Sequence, residues 1–279
     1  MDTVEQVYRF YESYRGEKQV IGRSVCGNPI VALFVGRGGP RILVQCAIHA
    51  REWVTALLAL ELIAQGMPFG RAAFVPLSNP DGAMLALRGG GFLRLLPACR
   101  AEFLRKVNGS ADFSQWKADA NAVDCNVNFD AEWGTGAQNV RIPSPANYIG
   151  PYPFSEPETR ALRNFTLAFR PDATVSFHTK GQEIYWEFGQ TGAAFARDKK
   201  IAESLAAETG YAAKLVRGSA GGYKDWCIRA LGIPSFTVEA GSDSLPHPLA
   251  EPQLPQLVRE NARIPALLAE LVWKIKTDS

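Results

Sequence analysis

The sequence predicts an α/β fold in one domain spanning residues 1–279, and three observations carry that expectation. An apolar run at 42–48, a helical period at 54–64 and a second apolar run at 71–76 read as a βαβ unit. Three apolar runs end abruptly in ionisable groups: at His49 with Glu52, at His178, and at Glu239. Open α/β sheets bind ligands beyond the carboxyl ends of their strands, so such endings belong there. Finally, 279 residues with 47% apolar and 21% charged side chains suffice for a large single core.

Taken in order, residues 3–15 alternate apolar and charged positions at helical spacing, with Gly16 as the stop. Strands at 20–26 and 30–35 flank Gly27-Asn28, a dipeptide suited to a hairpin turn. The βαβ unit follows, and Pro76 marks the end of its second strand. No period holds over 77–147, where Gly, Asn, Asp and Pro recur; so long an irregular stretch points to function. Ser155-Glu-Pro-Glu158 reads as a capping box opening a helix to about residue 168. Strands at 173–178 and 183–188, a helix at 194–209, the segment 221–231, a strand at 235–241 and a closing amphipathic helix at 255–274 complete the chain.

The formal charge of +2 arises from 30 basic and 28 acidic residues mixed along the chain, which leaves no electrostatic footprint for nucleic acid or an anionic membrane. The first eight residues lack a basic n-region and an apolar h-region, and no run approaches the roughly 20 apolar residues of a spanning helix. A soluble, unexported, cytoplasmic protein is expected. Five scattered cysteines, with no Cys-x-x-Cys pair, point to reduced and mostly buried thiols.

The chain has only three histidines, and two of them fall at strand ends. Together with Glu52 and Glu239 they supply two imidazoles and one carboxylate as zinc ligands, plus a spare carboxylate as general base. That is a kit for metal-assisted hydrolysis. His247, in Leu245-Pro-His-Pro-Leu249, reads as structural or surface, and Asn79-Pro-Asp-Gly82 as a scaffolding turn.

His49-Ala-Arg-Glu-Trp53, Asn79-Pro-Asp-Gly82, Val123-Asp-Cys-Asn-Val-Asn128, Ser176-Phe-His178 and Phe236-Thr-Val-Glu239 stand in an order that resembles the zinc carboxypeptidase family typified by carboxypeptidase A. The resemblance implies a mixed, mostly parallel eight-stranded sheet and one zinc per chain held by His49, Glu52 and His178. By the same resemblance Glu239 is the catalytic base, and Asp124 accepts a hydrogen bond from the first zinc histidine. Arg51 falls at the substrate cleft, and Lys117 stands where the family has the arginine that polarises the scissile carbonyl.

Two departures bear on substrate. Asn126-Val127 replaces the family's Asn-Arg pair that grips a terminal carboxylate, and Arg217 falls at the position of its mobile tyrosine. Charge is relocated, and Arg217 with help from Asn126 is expected to hold substrate carboxylates. Gly218 and Gly221-Gly222 suggest a loop able to close. Phe177-His-Thr-Lys-Gly-Gln-Glu-Ile-Tyr-Trp186 and Gly221-Gly-Tyr-Lys-Asp-Trp226 are more similar to the bacterial γ-D-glutamyl-diamino acid peptidases of this family, which cut muropeptides. The alternatives are a general metallocarboxypeptidase, a small acyl-amino acid deacylase on the same fold, and a binding module for peptidoglycan fragments.

Overall fold

The computed structural model describes residues 1–277; Asp278 and Ser279, at the end of the expected domain, lie outside the described residues. The strands are β1 Lys18–Arg23, β2 Pro29–Gly36, β3 Arg41–Cys46, β4 Arg71–Val75, β5 Ala173–His178, β6 Glu183–Tyr185, β7 Ala212–Lys214 and β8 Ser235–Glu239. The helices are α1 Thr3–Ser13, α2 Val54–Gln65, α3 Pro80–Arg88, the single turn α4 Gly90–Leu93, α5 Ala98–Asn108, α6 Pro157–Phe169, α7 Gly192–Thr209, α8 Tyr223–Leu231, α9 Leu254–Asn261 and α10 Ile264–Thr277.

One eight-stranded sheet runs in the order β1-β2-β4-β3-β5-β8-β6-β7, forming a single α/β domain. Its centre, β4-β3-β5-β8, is parallel, while β1 with β2, β2 with β4, and β6 with β8 pair antiparallel. Successive residues of β3 feed opposite faces. Ile42, Val44 and Cys46 enter a core shared with α2 and α10, whereas Leu43 enters one shared with α6 and α8. This twofold alternation with no exposed face is what a strand covered on both sides requires. From β3 the chain crosses through α2 to β4 on one side, and β5 lies on the other, so the β3/β5 boundary is a topological switch point.

Several expectations need correction. The stretch 77–147 holds α3, α4 and α5. Asn79 accepts from Gly82 N at 3.0 Å and so caps α3, with Pro80 in the first turn. Ser155-Glu-Pro-Glu158 forms no capping box: Glu158 turns away from its helix and accepts from Val25 N at 3.0 Å, and Glu156 bonds Ser155 Oγ and Asn121 Nδ2. The strand expected at 183–188 ends at Tyr185, β7 adds an unforeseen edge, and the closing helix breaks between α9 and α10. Among the cysteines, Cys46, Cys125 and Cys227 are buried and Cys99 is exposed; all five are free.

Asp81, fully buried in the first turn of α3, fastens the β1–β2 turn by accepting from Ser24 Oγ, Asn28 Nδ2 and Cys26 N, each at 2.7 Å. Asp81→Ala is expected to lower stability by about 2–4 kcal/mol, since it orphans buried donors that water cannot reach. A denaturant midpoint equal to wild type would contradict this.

Candidate metal centre and cavity

Beyond Cys46 the chain leaves the sheet through Ala47, whose φ of 49° lies in the left-handed region. A non-glycine residue held there costs on the order of 1 kcal/mol, and surrounding bonds fix it. Thr55 Oγ1 accepts from Ala47 N at 2.9 Å, and Asn79 N donates to Ala47 O at 3.1 Å. The turn then presents His49 and Glu52, while β5 delivers His178 directly. Asn79 Nδ2 donates to Ile48 O and Ala118 O, both at 3.1 Å, and Ala50 N to Lys117 O at 3.0 Å. The turn bearing His49 is thereby braced against the loop bearing Lys117, as expected of scaffolding at Asn79.

Three donors converge here. His49 Nδ1 lies 2.9 Å from Glu52 Oε1, His178 Nδ1 lies 3.0 Å from Glu52 Oε2, and the two Nδ1 atoms are 3.1 Å apart. All three residues are buried. The Glu52 Oε2 contact is close yet misaligned, leaving that oxygen without a proper hydrogen bond. Two ring nitrogens and a carboxylate facing one point, at the spacing of a tetrahedron's edges, fit a borderline cation such as zinc. One such His/Glu/His cluster per chain is found among the described residues, consistent with one zinc of this type.

Charge is balanced locally. Burial opposes ionisation of Glu52, but His49 and His178 outweigh it and hold the carboxyl well below its usual range. Burial lowers the His178 imidazole. At His49 the same burial is overcome by Glu52 and Asp124, which push it up to about 9, so a cation entering the cluster has a proton to displace. Asp124 Oδ1 lies 3.3 Å from His49 Nε2 and Asp124 Oδ2 lies 3.5 Å from Lys117 Nζ. Although buried, the Asp124 carboxyl is held well below the ordinary range by Lys117 and His49.

Glu239 ends β8 as the register partner of His178 on β5. Burial, and then the Glu52 charge, push its carboxyl up to about 8. Glu239, His49, Lys117, Asp124, Asn126 and Arg217 all border one cavity of about 330 Å³. Arg51 is not among the residues that line it; its Nη1 donates to Gln115 Oε1 at 3.3 Å, and Gln115 Nε2 donates to His247 O at 2.8 Å. His247 is half-buried, within electrostatic reach of Arg51.

Arg217 is exposed, and no side chain or carbonyl among the described residues engages its guanidinium. The expected closing loop is instead pinned. Gly221 N donates to Ala131 O at 2.8 Å and Gly221 O accepts from Phe129 N at 2.9 Å, while Gly218 O accepts from Ala137 N at 2.8 Å. With φ of 81°, Gly221 leaves no room for a Cβ, which would stand 2.8 Å from Val127 O. Its glycine serves a close backbone approach, not a hinge. Asn126 Oδ1 accepts from Tyr223 N at 3.3 Å, leaving its amide nitrogen unused.

Sequence reasoning assigned no role to Lys224, a buried lysine in the cavity wall. Its ammonium donates to Glu187 O at 2.9 Å and pairs with Asp225 Oδ1, leaving one of three N–H groups over. The signal was present in Gly221-Gly-Tyr-Lys-Asp-Trp226, where a lysine interrupts an otherwise buried helix start.

Fold and cluster together define a metalloprotein of the mixed α/β class. The chain belongs to the zinc carboxypeptidase family, whose model matches residues 10–264. Gamma-D-glutamyl-L-diamino acid endopeptidase 1 of Lysinibacillus sphaericus is 32% identical over 274 residues, covering 90% of this chain and 66% of that relative. The chain thus spans about two thirds of that protein's length. Bovine thrombin-activatable fibrinolysis inhibitor, solved with tick carboxypeptidase inhibitor, superposes with a TM-score of 0.75 at 20% identity, over 99% of this chain and 95% of that one. Murein-tripeptide amidase MpaA from Escherichia coli O157 gives 0.62 at 22% identity, over 92% and 93%. No helix among the described residues is long and apolar enough to cross a membrane.

Proposed function

We propose that the protein is a zinc-dependent peptidase that hydrolyses the γ-D-glutamyl-meso-diaminopimelate bond of muropeptides. The observation that carries this reading is the convergence of His49, Glu52 and His178 one strand away from Glu239, at a cavity whose wall carries Lys117, Arg217 and Lys224 beside Asp124, Asp225 and Glu239. The peptide class follows from family membership, and the bond from the Lysinibacillus relative together with those cations.

In this reading His49 and His178 hold one zinc through Nδ1 and Glu52 through its carboxylate. The ion, when bound, makes a water more acidic and polarises a carbonyl. Glu239 removes a proton from the attacking water and returns it to the leaving nitrogen. Lys117 faces the charge that develops on the carbonyl oxygen. Asp124 takes the His49 Nε2–H, fixing the tautomer that leaves Nδ1 free as a ligand. Arg51 reaches Gln115 from the same turn as His49 and Glu52. Arg217, Asn126 and Lys224 offer unused donors to substrate carboxylates.

Mass spectrometry of muropeptides after incubation with the protein tests this. Cleavage between D-glutamate and diaminopimelate is expected; intact muropeptides alongside hydrolysed hippuryl amino acids would transfer the protein to general carboxypeptidases. Arg217→Leu is expected to raise KM for the muropeptide by roughly tenfold or more, the loss of one charge-assisted hydrogen bond. Unchanged kcat/KM would remove Arg217 from the site.

A further inference from the structure

Below the loop that carries Lys117 and Asp124 lies a second convergence of donors. A carboxylate oxygen of Asp119, the Cys125 sulfur and a carboxylate oxygen of Glu158 lie within 4.8 Å of one another, and all three residues are buried with no exposed surface. Half of each carboxylate is already committed. Asp119 Oδ1 accepts from Asn121 N at 2.8 Å and Val123 N at 2.9 Å, and Glu158 Oε1 accepts from Val25 N at 3.0 Å. The other halves, Asp119 Oδ2 and Glu158 Oε2, are buried and accept no hydrogen bond.

Nothing cationic answers them. Among the described residues no lysine or arginine lies within ion-pair distance of Asp119, Glu156 or Glu158, although the Glu156 carboxylate also meets Asp119. Buried carboxylates without counter-charge or donors are costly, and such groups are ordinarily paired or coordinate a metal.

We infer that Asp119, Cys125 and Glu158 form a second, structural divalent-cation site of zinc type, separate from the His49 cluster. A thiolate with two carboxylates is a donor set that zinc accepts, and three protein ligands leave a fourth position to a small ligand from solvent. Binding displaces the Cys125 thiol proton, and any protons held by the Asp119 and Glu158 carboxyls, to solvent. The three ligands carry three negative charges against the ion's two. A groove of about 540 Å³ is bordered by Asn121 and Val123, whose backbone N–H groups bond Asp119. An ion here ties down the loop between Asp119 and Cys125, immediately beside Asp124.

Cobalt distinguishes the two sites, because the His49 cluster contains no sulfur. Metal-free protein titrated with Co²⁺ is expected to take two equivalents and to develop a thiolate-to-cobalt charge-transfer band in the near ultraviolet. The band should vanish in Cys125→Ala and persist in His49→Ala. Glu158→Gln, which keeps the side-chain shape should Cys125→Ala fold poorly, is expected to bind one equivalent fewer than wild type. Uptake of a single equivalent by wild type without a thiolate band would overturn the site and leave the cluster neutralised by protons, and a band that survives Cys125→Ala would overturn it too.

Discussion

Glu239→Gln is expected to lower kcat by about 10²- to 10⁴-fold while the protein keeps its full zinc content. The substitution preserves shape and hydrogen-bonding reach but removes the carboxylate beside His178 that would take the proton. Because Glu239 sits in register with His178 on the neighbouring strand, the backbone that carries both is held by the central parallel ladder and should not shift. The loss is therefore expected in kcat with KM little changed, the signature of an interaction made in the transition state. Elemental analysis and steady-state kinetics on one preparation check both halves, and wild-type turnover in the variant would make Glu239 structural.

His49→Ala and His178→Ala are expected to be still more damaging, abolishing measurable activity and lowering zinc content by one equivalent. Three protein ligands are the minimum that holds a catalytic ion while leaving a position open. Removing either imidazole leaves one histidine and Glu52, too few to compete with solvent. His49→Ala also strips Asp124 of its partner at 3.3 Å, so a buried carboxylate is left with Lys117 at 3.5 Å as its remaining ion pair. That variant should lose stability as well as metal, whereas His178, whose Nε2 has no partner, should cost less. Zinc content equal to wild type in either variant would overturn the ligand assignment.

The strands that carry this chemistry were legible because two signals coincide in them. Up to their ends the buried residues of these parallel strands are uncharged, with only Gln45, Thr174, Ser176, Ser235 and Thr237 as polar members, so the abrupt arrival of His49, His178 or Glu239 stands out. Other elements lacked such a signature. Helix α3 is nine residues long with a proline and a glycine in its first turn, and it is held by Asn79 and by Asp81, whose partners lie more than fifty residues away. Helix α5 buries only Ala101 and Leu104, too thin a stripe to show as a period. Strand β7 has three residues at a sheet edge, below the length at which alternation means anything. At Ser155-Glu-Pro-Glu158 local capping chemistry was outbid by distant partners, Val25 for Glu158 and Asn121 for Glu156. Lys224 escaped for the same reason: its partners, and the cavity it borders, exist only once the chain has folded.

The metal cluster hangs on the ends of central strands, whereas much of the surrounding wall, at Gly136, Ala137, Gln138, Asn139, Val216, Arg217, Gly218 and Ser219, comes from two connecting segments tied to each other through Ala137 N and Gly218 O. Inheritance can act on these two parts separately. Point changes at 138, 139, 216 or 217 alter what the enzyme accepts without touching a strand, a ligand or the residues that hold the ligands in place. A laboratory library confined to Gln138 and Arg217, the exposed positions among these, should yield altered selectivity at nearly constant melting temperature.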